Sequence, residues 1–232
     1  MALRFDITRV CPPLVWWLYD QVIADRVDGL SAAFIEELAD VMPNESAILD
    51  VGCGGGQFAI ALARRNPQWC VVGVDVDSGQ VRRASRRARA QSHPVRFQQA
   101  SAEDLPFRSE SFDAVVSVGS LKHWAVPQLG MAEMTRVLRS GGQLRVVEAS
   151  LGCSLADSRK TVECLRYPRL LQGVGAHFFR TCVAGAAISV DEAGDLTQDL
   201  QLEGVTVGLI AEAPAFWRIA ARKLPACSKS VV

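Results

Sequence analysis

Ile48-Leu49-Asp50-Val51-Gly52-Cys53-Gly54-Gly55-Gly56 is the stretch that decides the fold of this chain. Its apolar start, Ala47 to Val51, reads as a short buried strand carrying an acid near its end. The glycines that follow let the backbone turn sharply and come close to a ligand. Gln57 to Arg65 then continues as a helix, closed by Asn66-Pro67. The pattern repeats outward. Cys70-Val71-Val72-Gly73-Val74-Asp75 is a second apolar run ending in an acid, followed by a charged helix from about Gly79 to Gln91. Further strands are expected at Val95–Gln98, Phe112–Val118 and Gln143–Glu148, with a helix through Met131–Leu138 before the turn Ser140-Gly141-Gly142. Strand and helix alternating in this way predict a doubly wound parallel sheet with helices on both faces.

Ligands of such sheets sit in the crevice at the carboxyl ends of the strands. Asp75 falls about 20 residues beyond the glycine turn, the spacing of an acid that accepts hydrogen bonds from ribose hydroxyls. Turn and acid together point to an adenosine-containing cofactor. Gly54-Gly55-Gly56-Gln57-Phe58-Ala59 also satisfies the dinucleotide pattern G-x-G-x-x-A, so a nicotinamide-dependent oxidoreductase is a rival reading. Asp50 weighs against it. A pyrophosphate would meet that negative charge, whereas a cofactor with a cationic amino-acid end would be stabilised by it.

The 232 residues are 49% hydrophobic with zero formal net charge, which suits one domain with a full core and no global field for nucleic acid. Residues 1–43 read as an N-terminal helical lid, 44–150 as the cofactor-binding core, 151–203 as a substrate-side insertion after strand five, and 204–232 as C-terminal strands. Within the last part, Gly204–Ile210 and Phe216–Lys223 are the two strand candidates. The seven cysteines show no C-x-x-C pair, so reduced thiols in a cytoplasmic protein are expected, with no zinc site. No secretory signal and no apolar run of about 20 residues is visible, so stable membrane insertion is not expected. The basic run Arg82-Arg83-Ala84-Ser85-Arg86-Arg87-Ala88-Arg89 lacks nearby stacking aromatics, and a solvated helix face accounts for it better than nucleic acid does.

Four segments together resemble a family. Ile48 to Gly56 resembles the first motif of class I S-adenosylmethionine-dependent methyltransferases, and Val72-Gly73-Val74-Asp75 their second. Ala100 to Phe107 with Ser111-Phe112-Asp113 is similar to the "DAEDLPF...FD" segment of the ubiquinone- and menaquinone-biosynthesis-like subgroup. Arg136-Val137-Leu138-Arg139-Ser140-Gly141-Gly142 resembles its "RVLKPGG" motif. The resemblance implies a seven-stranded, mostly parallel sheet whose last strand is antiparallel, and S-adenosylmethionine as cofactor with S-adenosylhomocysteine as product. It implies that Asp50, Gly52, Gly54 and Gly56 surround the methionine part and that Asp75 holds the ribose. Val76, Ser101 and Ala102 would line the adenine, Ser117 would lie against the cofactor, and Tyr19 would reach its carboxylate. Ser101 stands where the family usually carries Asp or Asn, and Ser140 replaces the usual proline.

Methyl transfer is an in-line displacement, so the protein's task is alignment in a water-poor pocket, with a base only where the acceptor must lose a proton. His123, after the fourth strand in Leu121-Lys122-His123-Trp124, is the candidate base, because an unperturbed His titrates near pH ~6.5. A helix cap or backbone contact explains it equally. His177 in the insertion, Glu148 at the end of strand five and Trp16 in the lid are candidates for facing the acceptor, although Trp16, Trp17 and Tyr19 also suit packing of the lid onto the sheet. No carboxylates gather at the end of strand four, so no metal is expected. The acceptor implied is a small, hydrophobic or aromatic molecule, the protein a monomer or homodimer. A non-catalytic cofactor-binding or scaffold protein of the same fold is the remaining alternative.

Overall fold

The computed structural model describes residues 28–91, 95–165 and 169–225. The chain enters through helix α1 (Asp28–Ala39) and then alternates: β1 (Ala47–Val51), α2 (Gln57–Arg65), β2 (Cys70–Asp75), α3 (Ser78–Ala90), β3 (Arg96–Gln99), β4 (Phe112–Val118), α4 (Pro127–Val137) and β5 (Leu138–Ala149). After β5 come α5 (Leu155–Cys164), α6 (Gln172–Phe178), a π turn at Phe179–Val183 and α7 (Val190–Asp195). The hairpin β6 (Leu202–Ile210) and β7 (Ala213–Lys223) ends the described fold.

The seven strands form one sheet in the order β3-β2-β1-β4-β5-β7-β6. β1 to β5 pair in parallel, and β7 inserts between β5 and β6 antiparallel to both. This is the expected topology, with the reversal at the switch point between β1 and β4 that opens a crevice above the glycine turn. β5 starts five residues earlier than the sequence pattern predicts, because Leu138 pairs with Phe112 across an irregular register before the regular ladder from Gln143. The C-terminal strands start earlier than their predicted runs, at Leu202 and Ala213, because the β6–β7 ladder already pairs these residues with Lys223 and Ile210.

Each face of the sheet buries its own core. On one side, Ile35 and Leu38 of α1 and Phe58, Ala59 and Leu62 of α2 cover Ile48, Val71, Ala114 and Val116. On the other, Met131, Met134 and Val137 of α4 with Ala193 and Leu196 cover Leu49, Val115, Leu144, Trp217 and Ile219. The insertion is a packed cap. Val162, Ala176, Phe179 and Val183 close over Val147 and Ala149 at the carboxyl end of β5 and over Ala213, Ala215 and Phe216 of β7. Two capping boxes, Ser154 with Asp157 and Ser189 with Glu192, start α5 and α7 and satisfy their first N–H groups. Among the described residues no helix is long and apolar enough to cross a membrane.

Candidate active site

The glycine turn runs from the end of β1 into α2. Gly52 N and Cys53 N both donate to Val74 O, at 2.8 and 2.9 Å, tying the turn to β2. Gly52 and Gly54 have φ of 74° and 51°, in the left-handed region that disfavours any side chain. Their surroundings differ. A Cβ on Gly52 would stand 1.9 Å from Ser120 Oγ, so protein fills that space. A Cβ on Gly54 would meet nothing within 4 Å, so that glycine offers bare backbone to the crevice.

Asp75 joins the same site from β2. Its Oδ2 accepts from Gly54 N at 2.8 Å and its Oδ1 from Asp77 N at 2.9 Å. Each oxygen keeps a lone pair, enough for two ribose hydroxyls. Val76, next in the chain, is 69% exposed, an apolar side chain left open at the carboxyl edge where an adenine ring would cover it. Asp50 lies behind the turn, 1% exposed, with Oδ2 unpartnered. Burial, aided by the charge of Asp75, pushes its pKa up to about 7 against the pull of the Ala59 N–H. An ammonium or water hydrogen placed there would stabilise the charged form. Burial with Asp50 and Asp75 nearby pushes the Cys53 thiol up as well, so Cys53 is no nucleophile at neutral pH.

Three segments hold the crevice wall, through contacts that the sequence motifs did not reveal. Arg87, from the basic helix α3, donates to Gly55 O and fixes the turn from outside, so one arginine of that run has a structural task. Glu103 accepts from Ser101 Oγ and, through Oε1, from Ala125 N at 2.7 Å and Val126 N at 3.2 Å. Burial pushes the Glu103 carboxyl up, but these bonds outweigh it and hold it below its usual range. Arg136 donates to Phe107 O at 2.8 Å and Leu105 O at 3.0 Å, while Glu133 accepts from Leu105 N at 2.9 Å. The Arg136 motif and the Leu105-Pro106-Phe107 motif are therefore two halves of one clamp. Only the fold brings them together.

Several expected site residues stand elsewhere. Glu148 has no accessible surface: its Oε1 pairs with Lys122 Nζ at 2.8 Å and accepts from Ala149 N at 2.8 Å, and its Oε2 accepts from Lys122 N at 3.2 Å. A strand-end acid sealed in this way pins the loop after β4 onto β5 and does not face an acceptor. Ser117 is likewise fully buried, with its hydroxyl 3.2 Å from Ser120 Oγ, and has no face for a cofactor. Ser101 directs its hydroxyl to Glu103, and the Ala102 methyl is buried in the core, so these two offer chiefly their backbone to an adenine. His123 closes a single turn, Leu121–His123, and its ring is exposed on the carboxyl edge. His177 is exposed on α6 within the cap. Trp16 and Tyr19 lie outside the described residues. Among the described residues no group of three His, Cys, Asp or Glu side chains is placed to hold a metal ion.

A methyltransferase-domain family matches residues 48–142, from β1 into the first half of β5. A SAM-dependent methyltransferase from Aquifex aeolicus superposes with a TM-score of 0.61 at 15% identity, covering 97% of this chain and all of that one. Residues 48–142 thus match a methyltransferase domain, and the chain as a whole shares the Rossmann-like fold of that solved structure. In sequence it is similar to a demethylmenaquinone methyltransferase of Deinococcus radiodurans, 40% identical over 101 residues, 44% of this chain and 42% of that protein. The chain spans about half the length of the curated relatives it matches. The same fold is also found in the [4+2]-cyclase SpnF, at a TM-score of 0.56 and 24% identity, covering 84% of this chain and 81% of that one.

Proposed function

We propose that the protein transfers a methyl group from S-adenosylmethionine to a small aromatic acceptor. The observation that carries this reading is Gly54, whose open backbone faces the crevice while its N–H fixes Asp75 beside it. The residues present fit the cofactor. Asp75 would accept from the ribose, Val76 would cover one adenine face, and Asp50 would give the cationic end a buried acid. The bound cofactor supplies a sulfonium methyl group. Everything else is alignment by this chain: the turn is held by Val74 and Arg87, and the wall opposite by Glu103, Glu133 and Arg136. The cap over Val147 and Ala149 keeps water from the carboxyl end of β5. His123, exposed on that edge, serves as proton acceptor where the substrate gives one up.

The similarity to a demethylmenaquinone methyltransferase supports an aromatic ring of quinol type as acceptor. SpnF shows why fold alone does not fix the reaction. Calorimetry with S-adenosylhomocysteine and with NAD, followed by labelled-methyl transfer to a panel of quinols, separates the readings. Micromolar binding of S-adenosylhomocysteine with label on a quinol is expected. Binding without transfer to any acceptor in a metabolite extract would favour a non-catalytic or non-methylating role, and binding of NAD alone would overturn the reading.

A further inference from the structure

One hydroxyl, on Ser120, touches three elements that meet beside the glycine turn. Ser120 Oγ donates to Val51 O at 3.2 Å and accepts from Trp124 Nε1 at 2.9 Å. Its single hydrogen is thereby used, so Ser117 Oγ, 3.2 Å away, is the donor in that pair. The oxygen is saturated. The bond to Val51 has a particular consequence, because that carbonyl belongs to the first peptide of the turn, Val51–Gly52. The same peptide's N–H donates to Val74 O. The peptide is thus gripped on one edge by β2 and on the other by the loop after β4. Ser120 reaches it only because Gly52 lacks a Cβ. The indole it holds is also seated on a glycine: a Cβ on Gly130 would stand 2.3 Å from Trp124 Cε3. Trp124 is half-buried, beside exposed His123, and its Nε1 is 3.7 Å from the Cβ position of Gly52.

We propose that Ser120 is a positioning residue that fixes the donor turn and the indole of Trp124 relative to each other, Trp124 forming an aromatic wall between the donor and acceptor sides of the crevice. This rests on the methyltransferase reading above. The sequence drew attention to His123 beside Trp124 and not to Ser120, because a Ser four residues before a Trp carries no signal until Gly52 and Gly130 are known to face the pair.

The test is binding of S-adenosylhomocysteine to the full chain, read by calorimetry and by intrinsic fluorescence. Ser120→Ala leaves Val51 O and Trp124 Nε1 without their partner, and affinity should fall about tenfold. Trp124→Phe removes the other end of the bond. It should weaken binding and abolish most of the ligand-induced emission change, although ligand still binds. The loss in the double variant should be smaller than the product of the two single losses, because both remove one shared bond. Thr135→Val, which deletes a buried hydroxyl bonded to Met131 O at 2.9 Å on α4, is the structural control: lower thermal stability and wild-type affinity are expected. Wild-type affinity in Ser120→Ala, or fully multiplicative losses in the double variant, would overturn the proposal with the methyltransferase reading intact. Absence of binding to the wild-type chain overturns both.

Discussion

Replacing Glu148 by Gln should destabilise the protein far more than its loss of one charge suggests. The Lys122 and Glu148 side chains are 7% and 0% exposed, so neither charge is solvated. Glu148 accepts from Lys122 Nζ, Lys122 N and Ala149 N, and Lys122 Nζ donates also to Gly119 O at 2.9 Å. Gln keeps the shape and one acceptor oxygen, but it leaves the ammonium buried without a counter-charge. Breaking a buried pair in this way costs about 3–5 kcal/mol. For a chain of this size each kcal/mol lowers Tm by about 2–4 °C, so a drop on the order of 10 °C is expected in a thermal melt. Urea unfolding should show a shifted midpoint with little change in slope, since the folded state stays compact. The double variant Lys122→Met with Glu148→Gln removes both charges and should regain most of the loss. The reasoning fails if Glu148→Gln melts with the wild type, or if the double variant is less stable than the single, because the penalty assigned to the stranded ammonium would then be absent.

Three further outcomes follow from the site. Asp75→Ala should weaken S-adenosylhomocysteine binding at least about tenfold by calorimetry, since on the proposed reading the acid would hold the ribose while it fixes Gly54 N; unchanged affinity would remove Asp75 from the site. Asp50 titrates near 7 in the fold and near 3.8 when exposed. Its stabilising contribution is therefore complete below pH 3.8 and is lost as pH rises through 7. Asp50→Asn should consequently flatten the fall in ligand-free stability between pH 5 and 8 measured by urea unfolding, and an identical slope in both proteins would contradict the burial argument. Arg136→Met should lower Tm and also weaken ligand binding, because Leu105 O and Phe107 O lose their donor; a change in stability alone would separate the clamp from the cofactor wall.

The order of elements, the glycine turn and the acid at the end of β2 are legible in the chain alone. Those features are local: apolar runs, glycines and an acid at fixed spacing impose strand, turn and helix before any distant contact forms. The sequence also anticipated an antiparallel end to the sheet, through the resemblance carried by four spaced motifs. Which polar residues face the crevice and which hold it together depends on long-range packing. Glu148 and Ser117 sit at strand ends as a site residue would, yet lie sealed beneath the loop after β4, Glu148 paired with Lys122 and Ser117 with Ser120. Arg87 reads as part of a solvated helix face and Arg136 as the start of a motif of no stated contact, yet each reaches a backbone carbonyl around 30 positions away in the chain. Burial and long-range pairing depend on how helices settle on the sheet, and no periodicity encodes which hydroxyl ends opposite a missing Cβ. The turn from Asp50 to Gly56 was legible in the chain; the peptide grip by Val74 and Ser120 that fixes it exists only once β2 and β4 flank β1.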